Sequence, residues 1–183
     1  APPFDDIRMR KALAMAADRS QINEIVNDGL PSIADSVFSP DSIGYVEDPG
    51  FPKYDQAEAK KLIEEYVADG GKPEFTLHAT NAPTVKRLAE LIQQRAKAAG
   101  VTVKIILRDQ ASLINDAIGK KYQAMLFRNY PGGDPDSLYV WFYSGTKGDD
   151  GSFTPNLVNF AGVNDPEVDK ALDEGRSETD PAK

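Results

Sequence analysis

The sequence predicts an α/β fold. Residues Phe75 to Thr80 alternate apolar and polar as a strand does, Val101 to Leu107 form a β-branched run, and Tyr122 to Phe127 read as a third strand. Between them, apolar residues recur at helical spacing from about Thr84 to Ala99 and again after Asp109. The order strand, helix, strand, helix, strand requires crossover connections and a sheet covered by helices.

The remaining elements follow from local chemistry. A first helix starts near Asp5 or Asp6, where a carboxylate accepts from free helix amides, and Ile7, Leu13, Ala14 and Ala17 supply its inward face. Arg8, Arg10 and Lys11 then point outward. Asp18 with Gln21 starts a second helix that Gly29 stops, and Asp55 with Glu58 starts a third that ends at Gly70-Gly71. Residues 30–54, broken by Pro31, Pro40, Pro49 and Pro52, read either as a segment touching a ligand or partner, or as a surface wrap over the core. An aromatic helix runs from Leu138 to Tyr143, and 144–156, rich in Gly, Asp and Ser, read as a mobile loop. Asp165-Pro166 opens the last helix, with Asp as cap and Pro in the first turn.

The 183 residues suit one domain with a sizeable core. No apolar run reaches the roughly 20 residues a membrane helix takes. A net charge of -8 with dispersed basic residues sets nucleic-acid binding aside. The absence of cysteine excludes disulfides, thiol catalysis and cysteine-ligated zinc.

Little in the sequence points to covalent chemistry. The single histidine, His78, sits inside a strand with no apparent nucleophile beside it, and reads as an ordinary strand residue. Nucleophile-elbow, dinucleotide and P-loop patterns are missing. Asp149-Asp150-Gly151-Ser152 is only a fragment of a calcium loop, so no metal and no cofactor is expected. An acid-base enzyme using Asp134 and Asp136 is the weakest reading, because two carboxylates one residue apart rarely frame a substrate.

Several segments, in order along the chain, resemble the family 5 extracellular solute-binding proteins, the peptide-, nickel- and related ligand-binding subunits of ABC importers. They are Pro3-Phe4-Asp5-Asp6-Ile7-Arg8 with Arg10 to Ala14 and Asp18-Arg19; Tyr54-Asp55 through Leu62; Arg87 to Gln94, Gly100 to Val103 and Tyr122 to Leu126; Asp134-Pro135-Asp136; and Asn164 to Asp169 with Thr179-Asp180-Pro181. The resemblance implies a periplasmic-binding-protein-like lobe with a central mixed β-sheet flanked by helices. It implies that residues 1–183 are a single partial lobe, the later one, of a longer two-lobe protein whose N-terminal lobe is missing here. Such lobes close over a solute like a clam, without covalent chemistry.

The segment after the third strand faces the cleft in that family. Peptide-binding members have an Asp four residues before the loop proline, where this chain has Pro131 before Pro135, and a Trp seven residues before it, where this chain has Arg128. Arg128 in that place suits an anionic or hydroxyl-rich solute, since its fork pairs with carboxylates and phosphates. The plain alternative is a strand-end arginine, solvated or paired with Asp134. The resemblance thus marks Arg128, Asn129, Tyr130 and Asp134 as cleft contacts, with Tyr139 as a stacking surface. It implies a small-molecule or oligopeptide ligand, a membrane permease as partner, and a periplasmic or membrane-anchored lipoprotein setting. A sensory or regulatory domain of the same fold, without a transport role, stays open as the second reading.

Overall fold

The structure is a computed structural model that describes residues 2–34, 36–128 and 134–180. Five helices open on an aspartate. Asp6, Asp18, Asp55, Asp109 and Asp165 cap α1 (Ile7–Ala16), α2 (Arg19–Asn27), α3 (Gln56–Ala68), α5 (Gln110–Ile118) and α7 (Pro166–Ser177), each accepting from a backbone N–H of the first turn. Helix α4 (Pro83–Ala98) instead starts with proline at its first turn and has no side-chain cap.

Among the described residues the main sheet has three strands, β1 (Glu74–Thr80), β2 (Thr102–Arg108) and β3 (Ala124–Met125), in the order β2-β1-β3. All pairing in it is parallel, with Leu77 level with Ile105 on one side and Ala124 on the other. The sheet is therefore not mixed, as the family resemblance implied. Antiparallel pairing occurs in a separate hairpin, β4 (Gly145–Lys147) with β5 (Phe153–Pro155).

Alternation along β1 divides the interior. Phe75, Leu77 and Ala79 enter a cluster with Ala89 and Ala96 of α4, Val103 of β2, and the seam between α1 and α3. On the other face His78 is 5% exposed and meets α5, whose Leu113 and Ala117 are also buried. Strand β3 is shorter than the sequence predicts. The side chain of Gln123 takes the place of a ladder group: its Oε1 accepts from Thr76 N at 2.9 Å, and its Nε2 donates to Pro2 O at 3.0 Å.

Helix α1 turns differently from its expected face. Met9, Ala12 and Ala16 are buried against Ala59, Ile63 and Tyr66 of α3, whereas Ile7 is 51% exposed. Small side chains let the two helices approach closely. Arg8, expected to face solvent, fixes this rotation. It pairs with Asp6 at 2.7 Å and with Asp69, just past the end of α3, at 2.6 Å, and its guanidinium lies 5.8 Å from the Tyr66 ring centroid.

Residues 30–54 wrap the surface. Arg19 donates to Ala34 O at 2.6 Å and lies over the Phe51 ring, Asn23 donates to Pro31 O at 2.8 Å, and Asp55 N donates to Met15 O at 3.0 Å. After Asp134 come a 3₁₀ turn (Pro135–Leu138), α6 (Tyr139–Phe142), the hairpin and α7. The stretch expected as a mobile loop is thus partly paired strand. Gly145 permits it, because a Cβ there would run into the Thr154 carbonyl. Asn159, 2% exposed, ties this region together by donating to Tyr143 O and Val163 O and accepting from Val163 N. Tyr122 and Lys120 bond the carbonyls of Phe160 and Asn159, and Phe127 meets Phe160 edge-on at 4.9 Å.

The helix rotation is open to test. Met9→Ala is expected to cost about 2–4 kcal/mol of unfolding free energy, and Ile7→Ala less than about 1 kcal/mol, in urea denaturation of the chain. The reverse order would mean that the face expected from sequence is the buried one.

Candidate functional site

The strand order places the site. From β1 the chain crosses through α4 to β2 on one side, then through α5 to β3 on the other, so the winding reverses between β1 and β3. In open α/β sheets the crevice at such a reversal, beyond the carboxyl ends of the strands, is the usual ligand position. Leu126 N donates to His78 O at 2.8 Å and Asn81 N to Arg108 O at 3.0 Å, which carries the alignment past the strand ends. His78 is level with Met125, and Asn81 and Arg128 each lie three residues further on, past the carboxyl ends of β1 and β3. Both are exposed.

Just beneath this edge lies a partly buried polar link that the sequence did not reveal. Asp116 of α5 accepts from Arg108 Nε at 2.9 Å and lies 3.1 Å from His78 Nδ1 through the same oxygen. His78 is thus more than a strand residue: it helps to pin α5 across β1 and β2. Burial pushes the Asp116 carboxyl up, but the hydrogen bond and charge of Arg108 and the hydrogen bond of His78 outweigh it and hold it below 3.8. Asp109, next to Arg108, is engaged by Ser112, whose side-chain and backbone hydrogen bonds lower its carboxyl.

The residues expected in the cleft fare differently. Arg128 lies three residues past the end of β3, is exposed, and has no ion-pair partner among the described residues, Asp134 included. Asn129 and Tyr130 lie outside the described residues. Asp134 is exposed and caps the 3₁₀ turn, its Oδ1 accepting from Asp136 N at 2.8 Å.

Tyr139 is enclosed. Tyr143 stacks on its ring with centroids 4.2 Å apart, and the guanidinium carbon of Arg176 lies 3.9 Å from its centroid. Two neighbours that close cannot share one face, so both faces of the ring are occupied from within the chain. Its hydroxyl donates to Asp173 at 3.0 Å, and burial, followed by its hydroxyl and carboxylate neighbours, pushes it up to about 12. Asp136 is bound by Arg176 at 2.6 Å, so Asp134 and Asp136 do not form a free acid-base pair.

Two hollows adjoin these parts. One of about 570 Å³ lies among Tyr139, Tyr143, Thr146, Asn156 and Arg176. Another, of about 460 Å³, lies between Gly44, Asp134, Pro135 and Leu172. A hollow of about 680 Å³ sits at the opposite, amino end of the strands among Pro3, Gly71, Phe75 and Gln123, away from the crevice. The described residues contain no cluster of three or more metal-ligating side chains.

Among the described residues, a parallel sheet flanked by helices, with its winding reversing between β1 and β3, makes an α/β lobe of the kind seen in periplasmic binding proteins. Residues 1–150 match the model of the bacterial extracellular solute-binding proteins, family 5 Middle, and the chain belongs to that family. It is 30% identical to di/tripeptide-binding protein 1 of Pseudomonas aeruginosa, over 99% of this chain and 33% of that protein. It is 27% identical to the dipeptide-binding protein of Escherichia coli, over 82% of this chain and 29% of that protein. The fold matches the oligopeptide-binding protein AppA of Bacillus subtilis in complex with a nonapeptide, with TM-score 0.82, 25% identity, and 98% of this chain and 37% of that one covered. It also matches MoaA of A. tumefaciens R10 in complex with mannopinic acid, with TM-score 0.83, 28% identity, and 100% and 36% covered. The chain spans about a third of the length of these relatives. They are solute-binding proteins, not enzymes, and the family is extracellular.

The Asp116 link predicts a pH dependence. A carboxyl whose value falls on folding adds stability that is complete above its unfolded value of 3.8 and is lost as pH drops through the lower folded one. Thermal melts of the chain from about pH 6 to about pH 2 should therefore show a steep acid loss, shallower in Asp116→Asn. An unchanged slope in that variant would mean that the link adds nothing.

Proposed function

We propose that this chain is one lobe of the solute-binding subunit of an ABC importer. It holds a peptide or related small solute at the carboxyl edge of its sheet while a second lobe of the full-length protein closes from the other side. The supporting observation is Arg128: an exposed guanidinium with no ion-pair partner among the described residues, three residues past the end of β3 on the side where the winding reverses. On a chain of net charge -8, an uncompensated cation at a crevice is an attractive seat for a carboxylate.

The roles divide by chemistry. Arg128 takes a solute carboxylate through its fork, and the Asn81 amide donates to the same group. Asn129 can hydrogen-bond in either direction, Tyr130 offers an apolar ring with a polar tip, and Asp134 supplies a negative charge for a solute amine. A short peptide carries both charges, which fits the names of the di- and tripeptide-binding relatives. The closed, loaded form is what the membrane permease would receive, in the periplasm or at the cell surface. One lobe supplies one wall, so the isolated chain should bind weakly.

Calorimetry on the full-length protein with L-alanyl-L-alanine, its N-acetyl form and its C-terminal amide tests this reading. Arg128→Ala should weaken dialanine binding by about tenfold to a hundredfold, the range for losing a charged hydrogen bond. The amide should bind more weakly than dialanine for the same reason. Unchanged affinity in Arg128→Ala would remove Arg128 from the site, and binding of none of the three compounds would remove the short-peptide reading.

A further inference from the structure

The 3₁₀ turn that ends the candidate loop is gripped from two distant parts of the chain. Arg176, on α7, reaches Asp136 with two nitrogens: Nε lies 2.6 Å from Oδ1 and Nη2 lies 3.3 Å from Oδ2. The same guanidinium covers Tyr139 at 3.9 Å. Three residues earlier on α7, Asp173 accepts from the hydroxyls of Tyr139 and Tyr143 at 3.0 and 3.2 Å. From the other side Gly44 backs onto the turn, so close that a Cβ there would stand 3.1 Å from Pro135 Cγ. Asp136 then passes the constraint on, its N–H donating to Asp134 Oδ1 at 2.8 Å.

We propose that Arg176 is a positioning residue for the solute site: by clamping Asp136 from α7, it sets where the Asp134 carboxylate stands at the end of the loop after Arg128. This rests on the reading that the loop grips solute. An isolated surface ion pair would contribute little. Here the fork fixes the plane of the Asp136 carboxylate, and the ring beneath fixes the plane of the fork, which a lysine ammonium cannot do. Arg176 commits Nε and Nη2 to Asp136 and the face of its guanidinium to Tyr139, so it acts through Asp136 and not by touching solute.

The test uses Arg176→Ala, Arg176→Lys and the exchanged pair Arg176→Asp with Asp136→Arg. Dialanine affinity and melting temperature are measured on the full-length protein, and amide resonances on the chain. Arg176→Ala should weaken dialanine binding about fivefold while the melting temperature moves by less than about 2 °C. Lysine should recover less than half of that loss and the exchanged pair most of it. The Asp134 and Asp136 amides should shift in Arg176→Ala while those of Leu77 and Val103 stay in place. An unmoved Asp134 amide, or full affinity despite a shifted one, would overturn the proposal. If the wild type binds no dialanine, the peptide reading fails, and the clamp is judged on the Asp134 amide alone.

Discussion

Strand β1 is hydrogen-bonded along both edges and packed on both faces, and the rest of the lobe takes its place from it. Its partners β2 and β3 run parallel to it, so each connection must return to the amino edge, and every strand must discharge its loop at the same carboxyl edge. Asn81, Asp109 and Arg128 lie past the carboxyl ends of the three strands for that reason, from segments far apart in sequence. The two faces are closed by different chemistry. Phe75, Leu77 and Ala79 bury apolar surface against α4 and the α1–α3 seam, whereas His78 meets α5 through Asp116 and Arg108. The apolar face supplies driving force, and the polar link contributes register between helix and sheet.

The chain is acidic, yet its aspartates are largely committed. Five cap helices, and Asp116, Asp136, Asp169 and Asp173 each bridge separate elements. A net charge of -8 therefore does not place an unopposed carboxylate beside every cation. Arg8, Arg108 and Arg176 are each answered by a carboxylate, and Arg128 has none among the described residues. Arg10, Arg87 and Arg95 share that lack, so it is the position of Arg128, past the end of β3 at the carboxyl edge, that sets it apart.

Helix starts were legible in the sequence because an aspartate cap and the amide it bonds are only two or three residues apart. The phase of α1 was not. Ile7 outweighs Ala12 and Ala16 on any scale of apolarity, but Arg8 reaching Asp69 turns the helix, and nothing local announces that pair. The β4–β5 hairpin was hidden by its length, since three-residue strands around Gly148 and Gly151 carry too short an alternation to read. Arg128 and Asp134 stood out by charge and by family resemblance, whereas Asn81 has no pattern and appears only once the strands are aligned. The enclosure of Tyr139 depends on Arg176 and Asp173, which the sequence gives no reason to bring together with it.

A structure of the full-length protein bearing the solute it carries from the cell tests the central claim most directly. The account predicts that solute between two lobes, within hydrogen-bonding distance of the Arg128 guanidinium and beyond the carboxyl ends of β1 and β3. A solute seated instead in the hollow at the amino ends of the strands, among Pro3, Gly71 and Gln123, would contradict it.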